Sequence, residues 1–265
     1  MRLTLHDLRQ LASERKLATL TCYDASFAAV LDACDVDMLL IGDSLGMVIQ
    51  GHDSTLPVTI GDVAYHTRAV VRGSRKAYIV ADMPFGSYQQ SPEQAFANAA
   101  ILMQAGAQMI KLEGGAEMAP TISFLVQRGI PVCGHVGLTP QHVNSFGGYR
   151  VQGRGNAAEQ VIAAAVAVEN AGATMLVIEA VPATVAGAIA SRSKTLTIGI
   201  GASVNCHGQV LVLHDMLGAG VGKRPRFVKN FLTESGSIEQ GVRDYVAAVR
   251  SGQFPTSDNV YSDGA

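Results

Sequence analysis

No apolar stretch in this chain approaches the roughly 18 consecutive residues that a membrane-spanning helix needs, although 48% of its 265 residues are hydrophobic. Charge of neither sign dominates. Twenty Lys and Arg against 22 Asp and Glu leave a net charge of -2 and a pI near 6.4. That balance argues against nucleic acid or an anionic membrane as the main partner. Metal-ligand cysteine spacing is also missing, since Cys22, Cys34, Cys133 and Cys206 form no C-x-x-C. Three of the four lie in or beside apolar runs, the setting of an ordinary reduced, buried cysteine. The opening "MRLTLHDLRQLASERK" interleaves charges where a signal peptide would carry an apolar core. A soluble, cytoplasmic protein is expected, with no domain linker and no low-complexity run.

What the chain does contain is a series of short β-rich apolar runs. Eight stand out: 18–24, 37–43, 77–83, 108–114, 130–136, 174–180, 195–202 and 209–215. Most are apolar nearly throughout, as parallel strands buried on both faces should be. Helical segments separate most of them, and some carry start signals: "SPEQ" at 91–94, "TIGD" at 59–62 and "SIEQ" at 237–240. Between the last two runs the interval is too short for a crossover helix. "AGAQMIKLE" at 105–113 and "AGATMLVIE" at 171–179 repeat one layout, a helix-closing Gly followed by a strand ending in Glu. Eight βα units in this length predict an α/β fold, a (β/α)₈ TIM barrel, with an open doubly wound sheet as the rival. The barrel is read as a single domain over 1–265. Residues 3–16 are expected to add a helix ahead of it, and the tail after about 255 to be loosely held.

Ionisable groups collect at the ends of these runs, where a barrel places its active site. They are Asp43 and Ser44 after the second run, Asp82 in the third, Lys111 and Glu113 in the fourth, His135 in the fifth and Glu179 in the sixth. Stability alone gives no reason to bury so many charges at one end. The polar stretch of about fifteen residues after Asp43 exceeds what a βα connection requires and suits a loop that lines a site. Asp43 and Asp82 on neighbouring strands repel unless a cation lies between them, and their hard oxygens, with Glu113, suit Mg²⁺; each Asp could instead cap the following helix. Lys111 and Glu113, two apart on a strand, share a face. They allow either an internal ion pair or a Schiff-base lysine, and the carboxylates around Lys111 oppose the latter. Glu179 ends "MLVIEAVP", apolar company in which a carboxylate holds protons more tightly and becomes a usable general base. His135 either polarises a carbonyl or hydrogen-bonds within the core. His6, His66 and His142 read as surface or capping residues. The Gly-rich "FGGYRVQGRG" at 146–155 is read as a mobile lid or an anion site.

Together, "GDSLGMVIQGHDSTLPVT", "ADMPFGSY", "KLEGG", "CGHVGLTPQ", "FGGYRVQGRG", "IEAVP" and "KNFL" give a chain that resembles the ketopantoate hydroxymethyltransferase family, in order from about residue 3 to 250. The resemblance implies a (β/α)₈ enzyme that transfers a hydroxymethyl group from 5,10-methylenetetrahydrofolate to 3-methyl-2-oxobutanoate. The product is ketopantoate, at the first step of pantothenate and coenzyme A synthesis. It further implies one Mg²⁺ per subunit held by Asp43 and Asp82 with Glu113 close by, and a 2-oxoacid among Ser44, Lys111 and His135. Glu179 would be the base, and the assembly a homo-oligomer, typically a decamer. One stretch departs from the family pattern: Ser203 stands where Gly is usual and His207 where Asp is usual. Because that segment follows the seventh strand at the catalytic end, it is expected to bear on folate placement or on loop geometry. A relative of the phosphoenolpyruvate mutase and isocitrate lyase group, or a non-catalytic barrel, are the alternatives.

Overall fold

The computed structural model describes residues 1–220 and 224–264. Eight parallel strands close on themselves: β1 (Leu17–Thr21), β2 (Met38–Ile41), β3 (Tyr78–Asp82), β4 (Met109–Lys111), β5 (Val132–Gly137), β6 (Met175–Glu179), β7 (Leu196–Ile200) and β8 (Gly208–Leu211). Each pairs with the next, and β8 pairs with β1, so no edge remains. The closed barrel, and not the open sheet, is therefore the fold. Every β1, β2, β3 and β4 residue is buried, which explains why those strands read as unbroken apolar runs rather than alternating ones.

Helix starts follow local chemistry. Thr59 caps Ile60–Gly73 through a reciprocal box with Asp62, and Ser91 accepts from the Gln94 amide ahead of Pro92–Gln104. The N-terminal helix forms at Leu5–Glu14 with its own Thr4–Asp7 box. It lies beneath the barrel at the N-terminal ends of the strands, where Arg15 pairs with Asp37 at 2.7 Å. The closing helix, Ile238–Arg250, buries Val242, Tyr245, Val246 and Val249 on one face. Its Tyr245 hydroxyl reaches the Thr19 and Gln209 carbonyls at 2.8 and 3.0 Å, spanning the β1–β8 seam.

Three segments differ in detail from expectation. The long loop after β2 is interrupted at once by a short helix, Leu45–Val48. Between β7 and β8 there is no helix, as the short interval required, and residues 201–207 return from the top of one strand to the bottom of the next. The segment after Pro255, expected to be loose, is tied down. Tyr261 bridges to Pro182, its carbonyl accepts from the Ala183 amide at 2.9 Å, and Asn259 is buried. The apolar faces of Phe254 and Tyr261 give the tail something to pack on.

Candidate active site

At the C-terminal end of the barrel lies a cleft of about 880 Å³, counting its open mouth. Its lining includes Asp43, Ser44, Asp82, Lys111, Glu113, His135 and Glu179, so every ionisable group expected at a strand end faces one space. Apolar residues of β6, β7 and β8 (Val177, Ile200 and Val210) form the wall beside them.

Strand register delivers this set. Asp82 and Lys111 are direct neighbours on β3 and β4, and Lys111 Nζ meets Asp82 Oδ1 at 2.5 Å while Glu113 Oε1 stands 3.9 Å away. Asp82 Oδ2 accepts the Asp43 backbone amide at 3.0 Å. Neither aspartate caps a helix: Ser44 occupies the cap position of the short helix, and its hydroxyl goes to the Tyr23 hydroxyl at 2.8 Å. His135 sits between two carboxylates, Nδ1 at 3.2 Å from Glu113 Oε1 and Nε2 at 3.2 Å from Glu179 Oε2. Both ring nitrogens and Glu113 Oε1 are buried and lie off the line of a straight hydrogen bond.

Glu179 is positioned by its backbone. Gly137 lies opposite it in the β5–β6 ladder with φ +92°, and a Cβ there would come within 2.3 Å of the Glu179 carbonyl oxygen. The next residue, Ala180, holds φ +46°, a left-handed conformation that costs a non-glycine residue roughly 1–3 kcal/mol. Its amide donates to the Ile200 carbonyl and its own carbonyl accepts from Gln152, both near 3.0 Å. The turn is thus fixed from two sides just where the carboxylate enters the cleft.

The charge balance is unusual. Burial pushes the Asp43 carboxyl up to about 8, with Asp82 and Glu113 adding to the effect against Lys111 and Gln141. Burial also disfavours the Glu113 anion, but His135 and Lys111 outweigh it and hold that group below its ordinary value. For Lys111 burial is overcome by Asp82, Glu113 and Asp43, which raise it and keep it protonated. His135 rises to about 9, because Glu113 and Glu179 outweigh burial and Lys111. A protonated, ion-paired Lys111 is a poor nucleophile, so the Schiff-base alternative loses its chemistry.

A divalent cation fits this donor set. Five carboxylates, those of Asp43, Asp82, Glu113, Glu179 and Asp215, line the cleft with one lysine and one histidine, hard oxygens lie side by side at the ends of β2 and β3, and buried polar atoms have no aligned partner. Among the described residues no three His, Cys, Asp or Glu side chains converge as a ready-made cage. Glu113, expected close to the metal or its waters, stands beside Lys111, its Oε1 3.9 Å from Lys111 Nζ. Glu113 is turned to His135 and to the Gln141 amide, which donates to Oε2 at 3.0 Å.

Other residues enter that had no role assigned from sequence. Gln141 and Tyr88 are buried beside the carboxylates, and Tyr149 covers the mouth with its hydroxyl 3.6 Å from Met47 Sδ. All three lie inside stretches already singled out, but nothing local separates a buried amide or phenol from an exposed one. Arg150 and Arg154 of the Gly-rich stretch are exposed and do not line the cleft, so they make no anion site in it. Ser203 and His207 do not line it either. His207 lies at the bottom of β8, its Nδ1 2.9 Å from Thr197 Oγ1. The segment that carries the pair thus starts at the catalytic end and travels away from it. Ser203 also keeps φ outside the left-handed region, so a serine there carries no backbone strain.

Fold and cleft define a (β/α)₈-barrel enzyme with its polar groups on the strands' carboxyl ends. The same architecture occurs in 2,3-dimethylmalate lyase, a member of the phosphoenolpyruvate mutase/isocitrate lyase superfamily (15% identity, TM-score 0.54, covering 75% of this chain and 72% of that one). Phosphonopyruvate hydrolase in complex with oxalate and Mg²⁺ is also similar (13% identity, TM-score 0.62, 82% and 83% covered). The chain belongs to the ketopantoate hydroxymethyltransferase family, whose model matches residues 2–257. It is 59% identical over 263 residues to 3-methyl-2-oxobutanoate hydroxymethyltransferase of Dechloromonas aromatica (strain RCB), covering 98% of this chain and 97% of that protein. To the enzyme of the same name from Neisseria meningitidis serogroup A it is 53% identical, with 98% and 100% covered.

Proposed function

We propose that this protein transfers a hydroxymethyl group from 5,10-methylenetetrahydrofolate to 3-methyl-2-oxobutanoate, forming ketopantoate for coenzyme A synthesis. The observation that carries the reading is the division of one cleft into two halves joined by His135: Asp43, Asp82 and Lys111 on one side, Glu179 on the other. Asp43 and Asp82 would hold a Mg²⁺ ion, with Glu113 supporting from behind. When bound, the ion supplies positive charge beside the oxygens of the 2-oxoacid.

Lys111, kept protonated by Asp82, offers a second positive charge to the substrate carboxylate, and Ser44, tethered to Tyr23, offers a hydroxyl. His135 orients Glu179, whose carboxylate takes the proton from C3 of the 2-oxoacid. The electron pair released moves toward the carbonyl oxygen, and C3 then attacks the methylene carbon carried by the folate. One C–C bond forms and both bonds from the methylene carbon to the folate nitrogens break; water supplies the hydroxyl oxygen, and the two nitrogens take up one proton from that water and one passed on from Glu179. Holding two substrates face to face is what a cleft of this size contributes beyond the charges.

Exchange of the C3 hydrogen of 3-methyl-2-oxobutanoate in deuterium oxide, followed by NMR without folate, isolates the first step. The protein should exchange it, and Glu179→Gln should slow exchange about 10²–10⁴-fold with substrate binding by calorimetry unchanged. Exchange at the unaltered rate in the variant would move the base to another group, His135 first. The four cysteines are free and buried, which suits a reducing cytoplasm, and the family's assembly makes a homo-oligomer, typically a decamer, part of this proposal.

A further inference from the structure

The acidic wall of the cleft is built around one neutral side chain. Gln141 lies on the turn that follows β5, is 4% exposed, and is in contact with three neighbouring segments. Its Nε2 donates to Asp43 Oδ2 at 2.9 Å and to the Met83 carbonyl at 3.0 Å. Its Oε1 takes the Tyr88 hydroxyl at 2.7 Å and Gln89 Nε2 at 3.2 Å. Its backbone amide donates to Glu113 Oε2. The side chain thus has every donor and acceptor in use.

The amide cannot be turned over. The Gly86 backbone N–H, a donor that has no alternative orientation, gives its proton to Gln89 Oε1 at 2.8 Å. Gln89 Nε2 must then face Gln141, which must present Oε1 to it and Nε2 to Asp43. A chain of fixed donors therefore runs from a backbone amide to the Asp43 carboxylate. Only Oδ2 is engaged: among the described residues Oδ1 accepts no side-chain hydrogen bond, and Asp43 lines the cleft.

We propose that Gln141 is a positioning residue for the cation and 2-oxoacid site, clamping Asp43 by one oxygen so that the other is presented to the cleft, and fixing Glu113 through its backbone. The inference rests on the function proposed above. Two acidic side chains from different strands would otherwise have to be ordered against their own repulsion each time a cation entered. Groups that orient a ligand from behind commonly carry about 10–100-fold in metal affinity.

The test uses the full-length protein and Mn²⁺ alone, titrated by electron paramagnetic resonance, with the Mg²⁺ activation constant and the KM for folate measured in parallel. Gln141→Leu removes the amide but keeps the backbone donor to Glu113, and should weaken Mn²⁺ binding about 10–100-fold while the folate KM stays constant. Tyr88→Phe, which frees one side of the amide, should weaken it less, in the same direction. A merely structural role would lower the melting temperature and leave the affinity of the folded fraction intact. Native affinity in folded Gln141→Leu overturns the proposal. If that variant does not fold, native affinity in Tyr88→Phe does so. Failure of the unsubstituted protein to take up Mn²⁺ would instead sink the metal reading itself, and is read from that arm alone.

Discussion

Asp43 and Glu179 look alike in the sequence, each a carboxylate closing an apolar run, yet their surroundings differ. Asp43 is buried among Asp82, Glu113 and Lys111 and held by an amide, whereas Glu179 reaches into the cleft beside His135. The first environment suits a fixed ligand, the second a group that accepts a proton. Asp43→Asn should accordingly abolish Mg²⁺-dependent turnover, because the amide offers a weaker, neutral oxygen. The fold should survive, since the substitution removes a buried like-charge repulsion. Steady-state assays with and without prior chelation check this, and full activity in either condition would contradict it. The ends of the strands were legible because alternation along a strand fixes which residues share a face. Gln141 was not, because its partners Asp43 and Met83 lie 98 and 58 positions away.

Elements carry the same lesson about direction. The segment from 201 to 207 follows β7, and in a barrel the end of a strand is the catalytic end. Having no helix, it spends its few residues returning to the start of β8, and its last residue, His207, bonds to Thr197 near the bottom of β7. Ser203→Gly with His207→Asp should therefore leave the KM values for folate and 2-oxoacid unchanged together. Its effect should be on stability, about 1 kcal/mol for the lost contact, visible as a small shift in melting temperature. A selective rise in the folate KM would show that the segment acts on the site after all. The tail after about 255, expected to be loosely held as chain ends commonly are, meets the barrel where Tyr261 bridges to Pro182.

For the molecule as a whole, the uneven charge of the cleft couples folding to pH and to cations. Asp43 rises from 3.8 to about 8 and His135 from 6.5 to about 9, so in both cases the folded protein binds its proton more tightly than the unfolded chain. Stability from these groups is present at low pH and is lost as pH rises, across the interval up to about 8 for Asp43 and about 9 for His135. A cation held by Asp43, as proposed, would replace the proton that the carboxyl otherwise holds. The cation-free protein should melt at lower temperature at pH 9 than at pH 6.5, and saturating Mg²⁺ should raise the melting temperature more at the higher pH; an equal increment at both would contradict the linkage. The sequence by itself determined the eight buried strands, the caps of several helices and the polar character of one end, because periodicity and capping are interactions between residues a few positions apart. Only the tertiary structure decided that Asp43 is clamped by Gln141, that Glu113 turns toward His135 and that residues 201–207 leave the site. Those contacts depend on how the closed barrel brings distant loops over neighbouring strands, and spacing along the chain carries no record of that closure.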